Sequence, residues 1–191
     1  MESRGFSVHL LVNNAGVGHT APFHEQAPEV LKAMLDVNVK ALVSLTHAFL
    51  PPMLARGRGR VVNVASNAAF QPVPFLAVYA ASKAFVLSFT EAVAEEVRGS
   101  GVQVQALCPG ITATEFLDVS QTHPGLLVRR MPVMRAEDVV RLSLAGLDHG
   151  RVRVTAGLAN RATAFVQRLV PSSLTRRVAA ALYRPGGRVR S

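Results

Sequence analysis

The 191-residue sequence has no tryptophan, two tyrosines and a single cysteine, Cys108. One cysteine excludes an intramolecular disulfide framework and any zinc site built on cysteines. Aromatic residues are only 6% of the chain, which argues against a stacking platform for sugars or single-stranded nucleic acid. Six histidines (His9, His19, His24, His47, His123 and His149) show no metal-ligand spacing. Acidic residues are scarce, but unevenly so. Residues 1–128 hold 8 basic and 9 acidic side chains, a net of −1, whereas residues 129–191 hold 13 arginines and 3 acids, a net of +10. The overall +9 therefore belongs to the last third, and it is no sign that the whole chain binds nucleic acid. The opening MESRGFSVHLL lacks a long apolar segment and a small-residue cleavage site, so no secretory signal is read. With one cysteine, the expected compartment is the cytoplasm. The uncharged stretch between Arg60 and Lys83 is long enough for a membrane helix. Asn63, Asn67, Gln71, Pro72 and Pro74 interrupt it, so it reads as strand, loop and helix.

What is present is a core. Hydrophobic residues make up 49% of the chain, enough for one globular domain. Val8–Val12 reads as a buried strand ended by the Asn13-Asn14-Ala15-Gly16 turn. A long helix follows from about Pro28 to Leu54, with Leu31, Leu35, Leu42, Leu45 and Phe49 at helical spacings. Val61–Val64 is a second strand, about Phe75 to Arg98 a second helix, and Val102–Leu107 a third strand. A helix from Arg135 to about Leu147 and a strand at Arg151–Val154 complete the pattern. Alternating strands and helices at this spacing predict an α/β fold, a Rossmann-like doubly wound parallel sheet. Such sheets bind ligands at the carboxyl ends of their strands. That directs attention to Asn13–Gly16, Ala65–Asn67 and Cys108–Thr114.

Tyr79 and Lys83 are four residues apart on a helix and share a face. An ammonium beside a phenol favours phenolate, so Lys83 is expected to lower the Tyr79 pKa from about 10. A phenol tuned in this way can exchange a proton with an alcohol or carbonyl oxygen. By itself the pair also fits a surface lysine over an aromatic ring. Ser66 ends the second strand, where a hydroxyl could hold a substrate oxygen or simply cap a turn. Asn38 lies mid-helix, where asparagine is a poor helix former; exposure or a deliberate polar contact would explain it. Cys108, before Pro109, reads as a core thiol at a strand end.

Taken together, Asn13-Asn14-Ala15-Gly16, Asn38, Ser66, Tyr79-Ala80-Ala81-Ser82-Lys83 and Pro109-Gly110-Ile111-Thr112-Ala113-Thr114 resemble the classical short-chain dehydrogenase/reductase family in order and spacing. The segment Val154–Asn160 is similar to the DltE-type bacterial branch. The resemblance implies an oxidoreductase that interconverts a carbonyl and an alcohol with NADP or NAD, NADP slightly favoured. It implies Tyr79 as general acid or base, Lys83 as its partner and a ribose ligand, and Ser66 as the group that positions the substrate oxygen. Asn38 would hold a water in a proton relay. Asn14, Ala15 and Gly16 would line the cofactor and stabilise the sheet, while Pro109, Gly110, Ile111 and Thr114 would border the nicotinamide and its phosphates. Substrate contacts would come from about Glu115–Met134. A homo-oligomer built on the two long helices is also implied.

The family's glycine-rich turn, T-G-x-x-x-G-x-G, is not found in the sequence. The expectation is an N-terminally truncated form lacking the first βαβαβ half, a deficit of ~60–80 residues. Such a chain is expected to bind nicotinamide nucleotide weakly or not at all, and to leave its first strand with an unpaired edge. The alternative is a non-catalytic remnant that serves as an interaction module. Residues 159–191 read as a basic extension of two short amphipathic helices split at Pro171-Ser172-Ser173. Packing on the domain or on a partner subunit is the favoured reading of this tail, with an anionic membrane surface second and nucleic acid a poor third for want of a motif.

Overall fold

The computed structural model describes residues 7–113, 133–167 and 170–184. Strands β1 (Leu10–Asn13), β2 (Gly59–Val64), β3 (Val102–Cys108) and β6 (Arg153–Thr155) form a sheet in the order β1-β2-β3-β6. Every pairing in it is parallel. Thr112–Ala113 (β4) and Met134–Arg135 (β5) form a separate two-stranded ladder. The helices are α1 (Pro28–Leu35), α2 (Leu42–Ala55), α3 (Ala77–Glu96), α4 (Ala136–Asp148), α5 (Leu158–Val166) and α6 (Ser172–Tyr183).

The alternation of side chains along each strand explains the layers. Val61, Val102 and Val104 point to one face, where Met53 of α2 and Val93 and Ala94 of α3 cover them. Val62 and Leu107 point to the other, where Val139 and Leu147 of α4 cover them. Pro28 sits at the start of α1, where a missing N–H costs no helical hydrogen bond. Gly101, with φ at +82°, closes the turn into β3; a Cβ there would stand 2.0 Å from the Gly57 carbonyl oxygen.

Two expectations change. The single long helix predicted from Pro28 is interrupted by a π-helical turn at Asp36–Ala41, with Asn38 inside it. Such turns widen the helix by one residue and occur often at functional sites. The first strand is not buried on both faces. Leu11 packs on the α2–α3 side, whereas Leu10 and Val12 are 41% and 51% exposed. They point to the α4 side, and α4 reaches only as far as β2 and β3 among the described residues.

A chain of buried amides ties the sheet to its helices. Asn13 and Asn63 are register partners on β1 and β2. The Asn13 Nδ2 donates to Asn63 Oδ1 at 2.8 Å and to Thr46 Oγ1 of α2 at 3.1 Å. The Asn63 Nδ2 donates in turn to Thr90 Oγ1 of α3 at 3.0 Å. Removing the central amide strands a donor on one side and an acceptor on the other. Asn63→Ala is expected to lower stability by about 3 kcal/mol, seen as a fall in the urea midpoint. A loss below about 0.5 kcal/mol would show that this chain does not hold the layers together.

Candidate functional site

The carboxyl ends of β1, β2 and β3 lie side by side, and the candidate residues gather there. Ser66 follows β2, Tyr79 and Lys83 lie on the first two turns of α3, and Gly16 follows β1. Phe75, with φ at +68°, turns the chain into α3. Its carbonyl accepts from Ala21 N at 3.1 Å, which joins this turn to the segment after β1. A phenylalanine in the left-handed region is strained, and it stands four residues before Tyr79.

Lys83 is 4% exposed, and its Nζ donates to the Val64 carbonyl at the end of β2 at 2.8 Å. The same Nζ lies 5.9 Å from the centre of the Tyr79 ring. Burial disfavours the ammonium and brings the Lys83 pKa down to about 8, with the Cys108 thiol a weaker opposing influence. Tyr79 moves the other way. Burial pushes its phenol up to about 12, a hydrogen bond with Ser66 pulls it down, and Tyr183 adds to the rise. The expected lowering of the Tyr79 pKa by Lys83 is therefore overturned: desolvation of the phenolate outweighs the attraction of a nearby lysine that is itself reluctant to carry charge.

Ser66 combines both roles that its position allows. Its Oγ accepts from Ala68 N at 3.1 Å, capping the short 3-10 turn Asn67–Phe70, and it also bonds the Tyr79 phenol. Asn38 is buried, so its mid-helix position reflects a polar contact. Its Oδ1 accepts from Val17 N at 2.8 Å, and its Nδ2 donates to Val17 O at 2.9 Å and to Ser82 Oγ at 3.0 Å. Ser82 donates onward to the Tyr79 carbonyl at 2.7 Å. Asn38 thus clamps the segment after β1 against the helix that carries Tyr79 and Lys83. Both hydrogens of its amide are taken by protein atoms, which leaves them no part in holding a relay water.

Asn14 and Ala15 are exposed and Gly16 is half-buried. Asn13, the first residue of the motif, which was given no role of its own, braces the sheet through its bonds to Asn63 and Thr46. Its signal, with Asn63, was an asparagine within an otherwise apolar strand. A Cβ on Gly16 would stand 3.1 Å from Lys83 Nζ and 3.4 Å from Asn38 Oδ1, so this backbone approaches the site closely. Pro109, Gly110 and Ile111 follow β3. The Pro109 carbonyl accepts from Asn67 N at 2.9 Å and the Ile111 carbonyl from Met134 N at 3.0 Å. A Cβ on Gly110 would meet the Asn160 side-chain nitrogen at 2.2 Å. Only glycine admits that contact, and Asn160 was also missed. Thr114 and residues 115–132 of the expected substrate loop lie outside the described residues. Cys108, buried at the end of β3, has its thiol pushed up to about 12 by burial, as befits a core residue. Among the described residues no cluster of histidine, cysteine, aspartate and glutamate could hold a metal ion.

Residues 2–124 match the family described as short chain dehydrogenase. The chain belongs to that family. Sulfoacetaldehyde reductase 2 of Chromohalobacter salexigens is 40% identical over 142 residues, covering 71% of this chain and 56% of the relative. Estradiol 17-beta-dehydrogenase 11 of Mus musculus is 34% identical over 168 residues, covering 86% and 54%. Among solved structures, a short-chain dehydrogenase from Sphingobium yanoikuyae in complex with NADPH superposes with a TM-score of 0.72 at 28% identity, over 96% of this chain and 69% of that one. The short-chain dehydrogenase fold is thus that of a Rossmann-like parallel sheet. The chain spans about half the length of the curated relatives it matches.

The fit to a nicotinamide dinucleotide is uneven along its length. The backbone of Gly16 comes close to Lys83, whose ammonium could hold a ribose, whereas the space beside Gly110 is filled by the Asn160 side chain. The glycine-rich turn that would receive the pyrophosphate is not in this sequence.

The pKa of Lys83 has a consequence for stability. Between about 8 and 10.5 the folded chain binds fewer protons at Lys83 than the unfolded chain does. The Lys83 contribution to stability therefore rises with pH across that window, by up to ~3 kcal/mol, and above pH 9 the buried Cys108 thiol, which keeps its proton to about 12, offsets it. Tyr79 has the opposite sign: its proton is held up to about 12, so its contribution is lost as pH climbs beyond 10. Denaturant midpoints from pH 7 to 9 are expected to rise in the native protein and to stay flatter in Lys83→Met. Parallel curves for the two would show that Lys83 titrates normally in the fold.

Proposed function

We propose that the chain is the chemical half of an NADP(H)- or NAD(H)-dependent oxidoreductase that interconverts a carbonyl and an alcohol. The observation that carries this reading is the convergence of Ser66, Tyr79 and Lys83 at the carboxyl ends of β1–β3, fixed by Asn38. Tyr79 donates its phenolic proton to the carbonyl oxygen as the alcohol forms, and reclaims it in the reverse direction. Burial keeps this phenol protonated at neutral pH, the form that a proton donor in carbonyl reduction needs. Ser66, already bonded to that phenol, holds the same oxygen. Lys83 anchors the ribose through the N–H groups not used by Val64. When bound, the dinucleotide supplies the hydride, and the protein supplies position and field. The solved neighbour in complex with NADPH supports NADP(H) over NAD(H). Exposed Leu35 and Leu45 near the α1–α2 turn and Phe85 on α3 support association with a second copy through these helices.

A second reading, a non-catalytic module that binds a partner, draws on the exposed Leu10 and Val12 face of β1. Turnover separates the two. With NADPH and a panel of ketones, the native chain is expected to reduce at least one, and Tyr79→Phe to lower kcat at least ~100-fold while changing NADPH affinity less than threefold. Equal rates for the native and Tyr79→Phe chains overturn the catalytic reading. Without a pyrophosphate turn, reduced nicotinamide mononucleotide and NADPH are expected to bind within about tenfold of each other, or ~1.4 kcal/mol, by titration calorimetry. NADPH binding a hundredfold tighter would place a phosphate site elsewhere in the chain.

A further inference from the structure

The main sheet ends at β6, and a groove of about 840 Å3 follows that end. None of Ser66, Tyr79 and Lys83 lines it. Its floor is β6 itself. The Val152 carbonyl accepts from Ala106 N at 2.7 Å, and Ala156 N donates to the Cys108 carbonyl at 3.2 Å, so the backbone of these residues faces β3. Alternation along the strand turns the N–H groups of Arg153 and Thr155 to the open edge, where no further strand follows among the described residues. Leu142 of α4 and Phe70 stand over this floor, and α5 adds Arg161 and Phe165. Three guanidiniums thus border the groove, those of Arg151, Arg153 and Arg161. Arg153 is already held: its Nη1 donates to Glu91 Oε1 at 3.2 Å, and its Cζ lies 6.0 Å from the centre of the Phe70 ring. Arg151 and Arg161 make no ion pair among the described residues. The nearby acids are taken, Glu137 by Arg135, Asp138 by Arg141 and Asp148 by Arg60, and no aspartate or glutamate follows Asp148 in the sequence.

Two uncompensated positive charges therefore stand beside apolar side chains that are themselves in water: Leu142 is 44% and Phe165 63% exposed. Guanidiniums take phosphate through paired N–H bonds, and exposed apolar side chains gain by covering with a hydrocarbon. A bare anion would satisfy the arginines and leave Phe165 wet; a neutral lipid would do the reverse. We propose that this groove binds an alkyl phosphate, its dianionic head between Arg151, Arg161 and the outward N–H groups of β6, and its chain over Leu142 and Phe165. The head carries two charges above its second pKa of about 6, matching the two guanidiniums that no acid neutralises. The inference does not depend on the reading of Tyr79 and Ser66. Soluble phosphomonoesters and phospholipid headgroups share this chemistry, and the enclosing walls favour a single molecule over a bilayer surface.

The probe is octyl phosphate below its micelle-forming concentration, titrated calorimetrically into the full chain above pH 7. It is expected to bind, and inorganic phosphate and octyl glucoside are each expected to bind at least about tenfold more weakly. Arg151→Ala and Arg161→Ala are each expected to weaken octyl phosphate about tenfold, and Phe165→Ala about threefold. Arg177→Ala removes the same charge from the exposed side of α6, outside the groove, and is expected to change the affinity less than twofold. Urea midpoints within error of the native chain confirm that the exposed substitutions leave the fold intact. Equal weakening by Arg177→Ala, or unchanged binding in both Arg151→Ala and Arg161→Ala, overturns the site and leaves only the general basicity of the tail. Inorganic phosphate binding as tightly as octyl phosphate overturns the apolar part. Co-sedimentation with phosphatidylcholine vesicles containing phosphatidic acid, without any binding of monomeric octyl phosphate, overturns the groove in favour of a membrane-facing surface.

Discussion

Lys83 carries an ammonium into the end of the sheet, and the site is arranged around that burial. An ammonium out of water needs fixed acceptors, and the Val64 carbonyl provides one at the last residue of β2. Val64 can do so because β2 ends there: one residue earlier its carbonyl would belong to the ladder with β3. Helix α3 must therefore start late enough to bring its second turn over the strand end, and the strained Phe75 turn sets that start. Tyr79, one turn before Lys83, then falls over Ser66 without further adjustment. The cost of burial is visible in both pKa values, which move away from charge on each group. At neutral pH the site still holds a neutral phenol beside a largely protonated lysine, a positive charge that suits an electron-rich neighbour.

The polar clamps separate two tasks. Asn13, Asn63, Thr46 and Thr90 fix helices to sheet and touch no candidate reacting group. Asn38 and Ser82 fix the segment after β1 to α3 and do border the site. The π-helical turn at Asp36–Ala41 makes the second clamp possible. An uninterrupted helix from Pro28 would carry a regular ladder through residue 38; the wider turn aims its amide at Val17 and Ser82.

Much of this was legible in the sequence for definite reasons. Apolar runs alternating with helical periods gave the parallel sheet, because burying both faces leaves a strong signal. Tyr79 and Lys83 were legible because four residues on a helix set their geometry. Asn13 was not, because its partners Thr46 and Asn63 are distant in sequence and only the register of β1 on β2 unites them. The direction of the Tyr79 pKa was misjudged because spacing reveals a neighbouring charge but not the depth of burial, and burial decided the outcome. Asn160 escaped notice because its contact with Gly110 is steric and crosses the sheet's edge.

The tail shows how composition can hide a local role. Its seven arginines between residues 159 and 191 dominate the charge of the segment and suggest a surface partner. Yet Tyr183 packs on the Val73–Ala80 cluster of the domain, and Ala179, four residues earlier on the same helical face, is buried. Alanine lets the helix come close, and tyrosine reaches past it to the Val73–Ala80 cluster. Arg177 on the same helix and Arg184 just after it are exposed, as long cationic side chains are on the water-facing side of an amphipathic helix.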